Sequence, residues 1–213
     1  MNSAPELIWY FDVISPFAYL QWQRLKRVPN LTLIPRPILL GAVLNHLQQR
    51  GPAEIPAKRI FTYRMVHWRA QQQNVPLRFP PSHPFNPMQA LRLIIAAENS
   101  MQAVERVMSH IWLEGRALDD AASVLALGAA LGIANPQAAI AQAHVKAALR
   151  SNTEEALAFG VFGVPTLRLG SELFWGDDAT DLALAAAHDP HIFRVAPYAG
   201  VENLPASAAR KLP

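Results

Sequence analysis

Within the first 34 residues a short apolar run, a proline-opened helix and a second apolar run follow in order. This order constrains the fold more than any other feature of the chain. Residues 7–11 (Leu-Ile-Trp-Tyr-Phe) are uniformly apolar and of strand length, the pattern of a strand buried on both faces. Residues 12–15 form a turn. Pro16 then stands where a proline opens a helix, because its ring presets the backbone and the N–H it lacks would have no partner there. A helix through Arg27 buries Phe17, Tyr19, Leu20 and Leu25, and Pro29-Asn30 turns the chain into a second strand over residues 31–34. A strand–helix–strand unit with so short a crossover predicts a parallel, right-handed pair.

Residues 41–150 read as helix almost throughout. Helices are expected over 41–50, 56–73 and 87–98, with a loop holding five prolines between 74 and 87. Met101, Val104, Val107, Met108, Ile111 and Trp112 recur at helical spacing as one apolar stripe. Asp119 or Asp120 caps a further helix that Gly132 ends, and Asn135-Pro136 opens another expected to run to Leu149. Ser151 and Glu154 make a capping-box pattern, expected to start a short helix that stops at Gly160. Two strand-like runs, 165–169 and 172–175, flank the hairpin signal Gly170-Ser171, and Asp177-Asp178 are read as caps of a last helix. The outline is α/β: a thioredoxin-like fold with a large all-helical insertion. The expected division is residues 1–40 plus 151–188 for the thioredoxin-like domain, 41–150 for the insertion and 189–213 for a C-terminal tail.

Composition removes several function classes. The 213 residues include no cysteine, so disulfides, thiolate metal sites, cysteine nucleophiles and thiol–disulfide exchange by the chain's own residues are excluded. With 51% apolar and 16% charged residues the chain can build a sizeable core. Its net charge of +3 is small and its basic residues are scattered, the densest groups being Arg24, Lys26 and Arg27, and Lys58-Arg59. That is no nucleic-acid footprint. The most apolar stretch, 121–134, is too short to span a bilayer, and residues 1–6 carry no targeting pattern, so a cytoplasmic protein off the membrane is expected. The histidines lack metal-ligand spacing, His188 and His191 coming nearest, and no metal site is expected.

Ser15 read by itself is an N-cap, the ordinary task of a serine before a helix-opening proline. Its surroundings add a second reading. Residues 10–19, Tyr-Phe-Asp-Val-Ile-Ser-Pro-Phe-Ala-Tyr, resemble the opening motif of 2-hydroxychromene-2-carboxylate isomerases and kappa-class glutathione transferases. Residues 162–166 and 173–178 resemble their closing motif, and residues 56–59 with 83–87 are similar to the isomerase branch in particular. The resemblance extends in order along the chain to the last helix.

The resemblance implies a glutathione-dependent isomerase that interconverts 2-hydroxychromene-2-carboxylate and trans-o-hydroxybenzylidenepyruvate in aromatic catabolism. It implies that Ser15 is the catalytic residue, donating a hydrogen bond to the glutathione thiolate at a helix N-terminus. It implies further glutathione contacts from Lys58, from Val164 before a cis Pro165, and from Asp177 and Asp178. Phe17, Lys58, Trp68, His83, Phe85 and Asn86 are the implied substrate-binding residues, and a homodimer is the family habit. Two alternatives stand beside this: a kappa-type glutathione transferase that conjugates electrophiles, and a non-catalytic binding protein on the same fold.

Overall fold

The computed structural model describes residues 6–208. The segment read for targeting signals, apart from Glu6, and the last five residues of the tail lie outside these. A four-stranded sheet of order β2-β1-β3-β4 forms the base. Strand β1 (Glu6–Phe11) lies parallel to β2 (Thr32–Pro37), as the short crossover through helix α1 (Pro16–Leu25) requires. Strand β3 (Thr166–Leu169) is antiparallel to β1 and forms a hairpin with β4 (Glu172–Trp175). Strand β2 runs past the expected residue 34 and contains Pro35 and Pro37. It is an edge strand, and the Ile38 amide bonds Phe11 O, so the two prolines turn their missing N–H groups to the open edge.

Alternation along β1 builds two cores. Leu7, Trp9 and Phe11 face one side and join α1 and the helical block in a single cluster with Leu20, Ile94, Val104 and Trp112. Tyr10 faces the other side with Ile38, Val43, Ala156 and Val161. All of these are essentially inaccessible to solvent, and each large apolar side chain so buried contributes about 1.5–3 kcal/mol.

The helical block holds α2 (Leu40–His46), α3 (Pro56–Gln72), α4 (Met88–Ala96), α5 (Met101–Met108), α6 (Ala121–Ala130), α7 (Pro136–Ala141) and α8 (Ala143–Ala158). A π turn, Ser109–Leu113, extends α5 and carries Trp112. The region expected as one helix to Leu149 and a new one from Ser151 is divided elsewhere. Gln142 is extended at ψ 141° and separates α7 from α8, which then runs through residues 149–151 without a break. Val145, Leu149, Thr153 and Ala156 form one buried stripe along α8, and this continuous packing overrides the local capping signal, leaving Ser151 exposed. The expected boundary at 150/151 therefore falls inside a helix. Helix α8 packs on α4 and α7, and its Asn152 and Thr153 bond the backbone of Pro37 and Leu39. Helix α9 (Thr180–His188) closes the fold behind a 3-10 turn, Asp177–Ala179. Among the described residues no helix is long and apolar enough to cross a membrane, and no group of three acidic or histidine side chains is placed to hold a metal.

Candidate active site

Ser15 is the N-cap of α1, with its extended backbone at φ −89° and ψ 115°. Its Oγ accepts the Ala18 amide at 3.3 Å, and only 7% of the residue is exposed. Among the described residues its hydroxyl proton has no acceptor. A hydroxyl donor is thus held at a helix N-terminus, where the free amides and the helix dipole favour an anion.

The 12–15 turn that presents Ser15 is fixed from several sides. Ser15 N donates to Asp12 O at 3.0 Å and Ile14 N to Asp12 Oδ1 at 3.0 Å. Trp112 Nε1 donates to Val13 O at 2.8 Å, and His83 Nε2 lies 2.8 Å from Ile14 O, which can only accept. The helical block thus supplies two donors that aim the turn. Tyr63 Oη is 2.7 Å from His83 Nδ1 and 2.8 Å from His83 O. Both ring nitrogens of His83 are therefore occupied, and burial lowers its pKa against the hydrogen bond to Ile14. Phe79, Phe85 and Trp112 surround the imidazole with ring-centroid separations of 5.6–6.0 Å. Asp12 is fully buried; burial pushes its carboxyl up to about 7, against the pull of the Ile14 and Leu40 amides.

The segment leading into β3 carries the second implied feature. The Val164–Pro165 peptide is cis, and among the described residues neither the amide nor the carbonyl of Val164 finds a backbone partner. Pro165 O accepts the Gly176 amide at 2.8 Å, which ties this segment to the turn before α9. Trp175 lies over Gly163, whose Cβ, were there one, would stand 2.6 Å from Trp175 Nε1. Phe162 packs edge-on against the same indole at 5.2 Å.

Asp177 is not the cap that its position before a helix suggested. No side chain caps the 3-10 turn, and the Asp177 carboxylate is fully buried against Arg69 Nη2 at 2.9 Å and Gln73 Nε2 at 3.3 Å. Its Oδ1 has no partner, and burial raises its pKa against the attraction of Arg69. Asp178 is exposed and 3.8 Å from Arg69 Nη1. The same guanidinium lies 5.9 Å from the centre of the half-buried Phe17 ring. Arg69 therefore joins three implied site residues, Phe17, Asp177 and Asp178. Sequence reasoning missed it, because nothing local separates it from Arg59 and Arg64 on the same helix.

The other implied residues are not tied into this network. Lys58 is exposed in the first turn of α3, and Trp68 is 56% exposed one turn from the helix end. Among the described residues neither makes a hydrogen bond, ion pair or ring contact with the other candidates. Asn86 is exposed and its Oδ1 accepts the Met88 amide at 3.0 Å, a turn bond at the start of α4.

With this geometry defined, comparison with known proteins is decisive at the level of family. Residues 6–187 match the model of the DSBA-like thioredoxin domain. The chain belongs to the DSBA-like thioredoxin family. Within it, the 2-hydroxychromene-2-carboxylate isomerase of Pseudomonas putida is 32% identical over 179 residues, covering 80% of this chain and 88% of that protein. Glutathione S-transferase kappa 1 of Caenorhabditis elegans is 22% identical, covering 89% of this chain and 94% of the transferase. The solved structure of a 2-hydroxychromene-2-carboxylate isomerase superposes with a TM-score of 0.76 at 25% identity, covering 89% of this chain and 97% of the other. These family members are named as isomerases and transferases, and the cysteine-free chain places Ser15 at the N-terminus of α1.

Proposed function

We propose that this protein is a glutathione-dependent isomerase of the 2-hydroxychromene-2-carboxylate type, interconverting that compound with trans-o-hydroxybenzylidenepyruvate in aromatic catabolism. The observation that carries the reading is the Ser15 hydroxyl, held at the α1 N-terminus with its proton unclaimed among the described residues; the unpaired Val164 backbone supports it. These groups fit glutathione: a donor for a sulfur anion and a free strand-like amide and carbonyl for a peptide backbone. Bound glutathione supplies the thiol that this chain lacks, and its reversible addition to a conjugated double bond allows rotation about that bond.

The chain's own residues perform the remainder. Ser15 donates to the sulfur and holds it in its anionic form, with the helix dipole aiding. Val164 pairs with the tripeptide backbone ahead of Pro165. Asp178 receives the γ-glutamyl ammonium, and Asp177 holds Arg69 in place beneath it. Lys58 faces a carboxylate of glutathione or substrate. Phe17, Phe85 and Trp68 offer apolar faces to an aryl group; His83 and Asn86 shape the loop that carries Phe85. The implied homodimer and cytoplasmic location belong to the same reading, and the exposed Ile60 and Phe61 of α3 offer apolar area for a subunit contact.

Ser15→Ala tests the reading. A hydrogen bond to a charged group is worth about 1.5–3 kcal/mol, so kcat/KM for isomerisation should fall about 10–150-fold while glutathione still binds. Unchanged turnover, or no calorimetric signal for glutathione with the parent, overturns it. The kappa relatives support a second reading, conjugation of electrophiles. Stoichiometric consumption of glutathione in the same assay selects that reading; regeneration selects the isomerase.

A further inference from the structure

Asp12 is a buried acid whose two oxygens serve two different parts of the chain. Oδ1 accepts the Ile14 amide inside the reactive turn at 3.0 Å, and Oδ2 accepts the Leu40 amide at the start of α2 at 2.8 Å. Its own carbonyl accepts the Ser15 amide at 3.0 Å. The residue is 0% exposed, and among the described residues no cation or second acid acts on it. The titratable side chain facing the same turn is His83, which holds the other side of the Ile14 residue through its carbonyl, backed by Tyr63.

The donor count fixes which form of Asp12 fits. Two amides point at it, and an ionised carboxylate presents acceptors on both oxygens. A protonated carboxyl turns one oxygen into a hydroxyl, a poorer acceptor, and an asparagine sets N–H against N–H at one of the two. Burial pulls the opposite way, because a desolvated charge is costly. The two effects oppose each other within one residue, three positions before Ser15.

We propose that Asp12 is a positioning residue of this site: its carboxylate locks the 12–15 turn, and with it Ser15, to the start of α2, and protonation of that carboxylate releases the lock. The functional consequence rests on the reading of Ser15 given above; the structural one does not. The proton comes from solvent and no bond other than O–H is made or broken. Asp12 does not touch the sulfur or the substrate and acts through the backbone that carries Ser15.

The test is an amide-resonance titration of the full chain from about pH 5 to pH 9, without ligand, on wild type and Asp12→Asn. In wild type the Ile14, Ser15 and Leu40 amides should shift together with one midpoint near neutrality, and residues 13–15 should gain mobility on the acid side. In Asp12→Asn the three signals should be flat. The ring C–H signals of His83 report its own midpoint and keep the two groups apart. Calorimetry adds a functional readout: between about pH 8 and pH 6, wild type should lose roughly threefold more glutathione affinity than Asp12→Asn does. Ile14 and Leu40 amides that do not titrate, a Ser15 amide that stays still while they move, or equal pH dependence of glutathione binding in both proteins overturns the proposal. The wild-type titration decides the first two even if the variant fails to fold. If glutathione binds neither protein, the Ser15 reading fails, and the ligand-free titration still decides the role of Asp12.

Discussion

Replacing Arg69 by methionine removes the counter-charge of the most buried carboxylate on the α3–α9 side. The Asp177 side chain is fully inaccessible, Arg69 Nη2 stands 2.9 Å away, and the remaining donor, Gln73 Nε2, is neutral and at 3.3 Å. Asp177 Oδ1 already lacks a partner, so little else is available to compensate. Breaking a buried pair from one side costs about 3–5 kcal/mol. Arg24 adds some attraction on Asp177, which favours the lower end, about 3 kcal/mol. For a chain of this size each kcal/mol moves Tm by about 2–4 °C, so Arg69→Met should melt about 6–12 °C below the parent at pH 8. The sign with pH follows from the carboxyl. Its folded pKa is already raised by burial, and losing Arg69 raises it further. A raised acid keeps its stability below the unfolded carboxyl pKa and loses it as pH climbs through the folded value. The deficit should therefore be largest at pH 8 and shrink toward pH 4. Adding Asp177→Asn should recover most of the loss at pH 8. Calorimetric melts of the parent, Arg69→Met and the double variant at both pH values make the measurement. An Arg69→Met melt within about 2 °C of the parent at pH 8, or an equal deficit at both pH values, refutes the reasoning.

Further predictions follow from packing and linkage. Gly128→Ala in α6 gains about 1 kcal/mol of helix propensity, but the added methyl would overlap Cβ and Cγ of Pro136 on α7. Overpacking against a rigid ring costs about 1–3 kcal/mol, so the denaturation midpoint should fall, and a rise would refute the packing argument. Asp12, raised from 3.8 to about 7, should make wild-type stability decline by on the order of 4 kcal/mol as pH rises from about 4 to 7. Denaturation of Asp12→Asn over that range should lack this slope; parallel curves count against it. Tyr10 Oη donates to Glu155 Oε1 at 2.8 Å, joining β1 to α8. Tyr10→Phe should cost about 1 kcal/mol by denaturant titration, and a neutral result would remove that bond from the account of how α8 is anchored.

Much of the architecture was legible because its signals are local. The uniformly apolar run of residues 7–11, Pro16 at the head of α1, the Asp120 and Asn135 caps and the Gly170-Ser171 hairpin are each written within a few residues. Ser15 as an N-cap was legible for the same reason; the cis Val164–Pro165 step was implied only by the resemblance. The misplaced break between α7 and α8 shows where local reading fails. The Ser151 pattern is a genuine cap signal, but Leu149 and Thr153 must both face the core, and that requirement is set by elements distant in sequence.

The sequence by itself determined the element order, the absence of chain-borne thiol chemistry and the serine at the head of α1. Tertiary structure alone decided what surrounds that serine. Arg69 meets Asp177, 108 positions on, and Trp112 reaches Val13, 99 residues back. His83 lies against Ile14 and Asp12 against Leu40 by the same folding together of distant segments. A charge or a donor carries no mark in the sequence of which partner it will meet. Burial makes that choice, because an unpaired polar group in the core is costly, and only the folded chain fixes which groups are buried together.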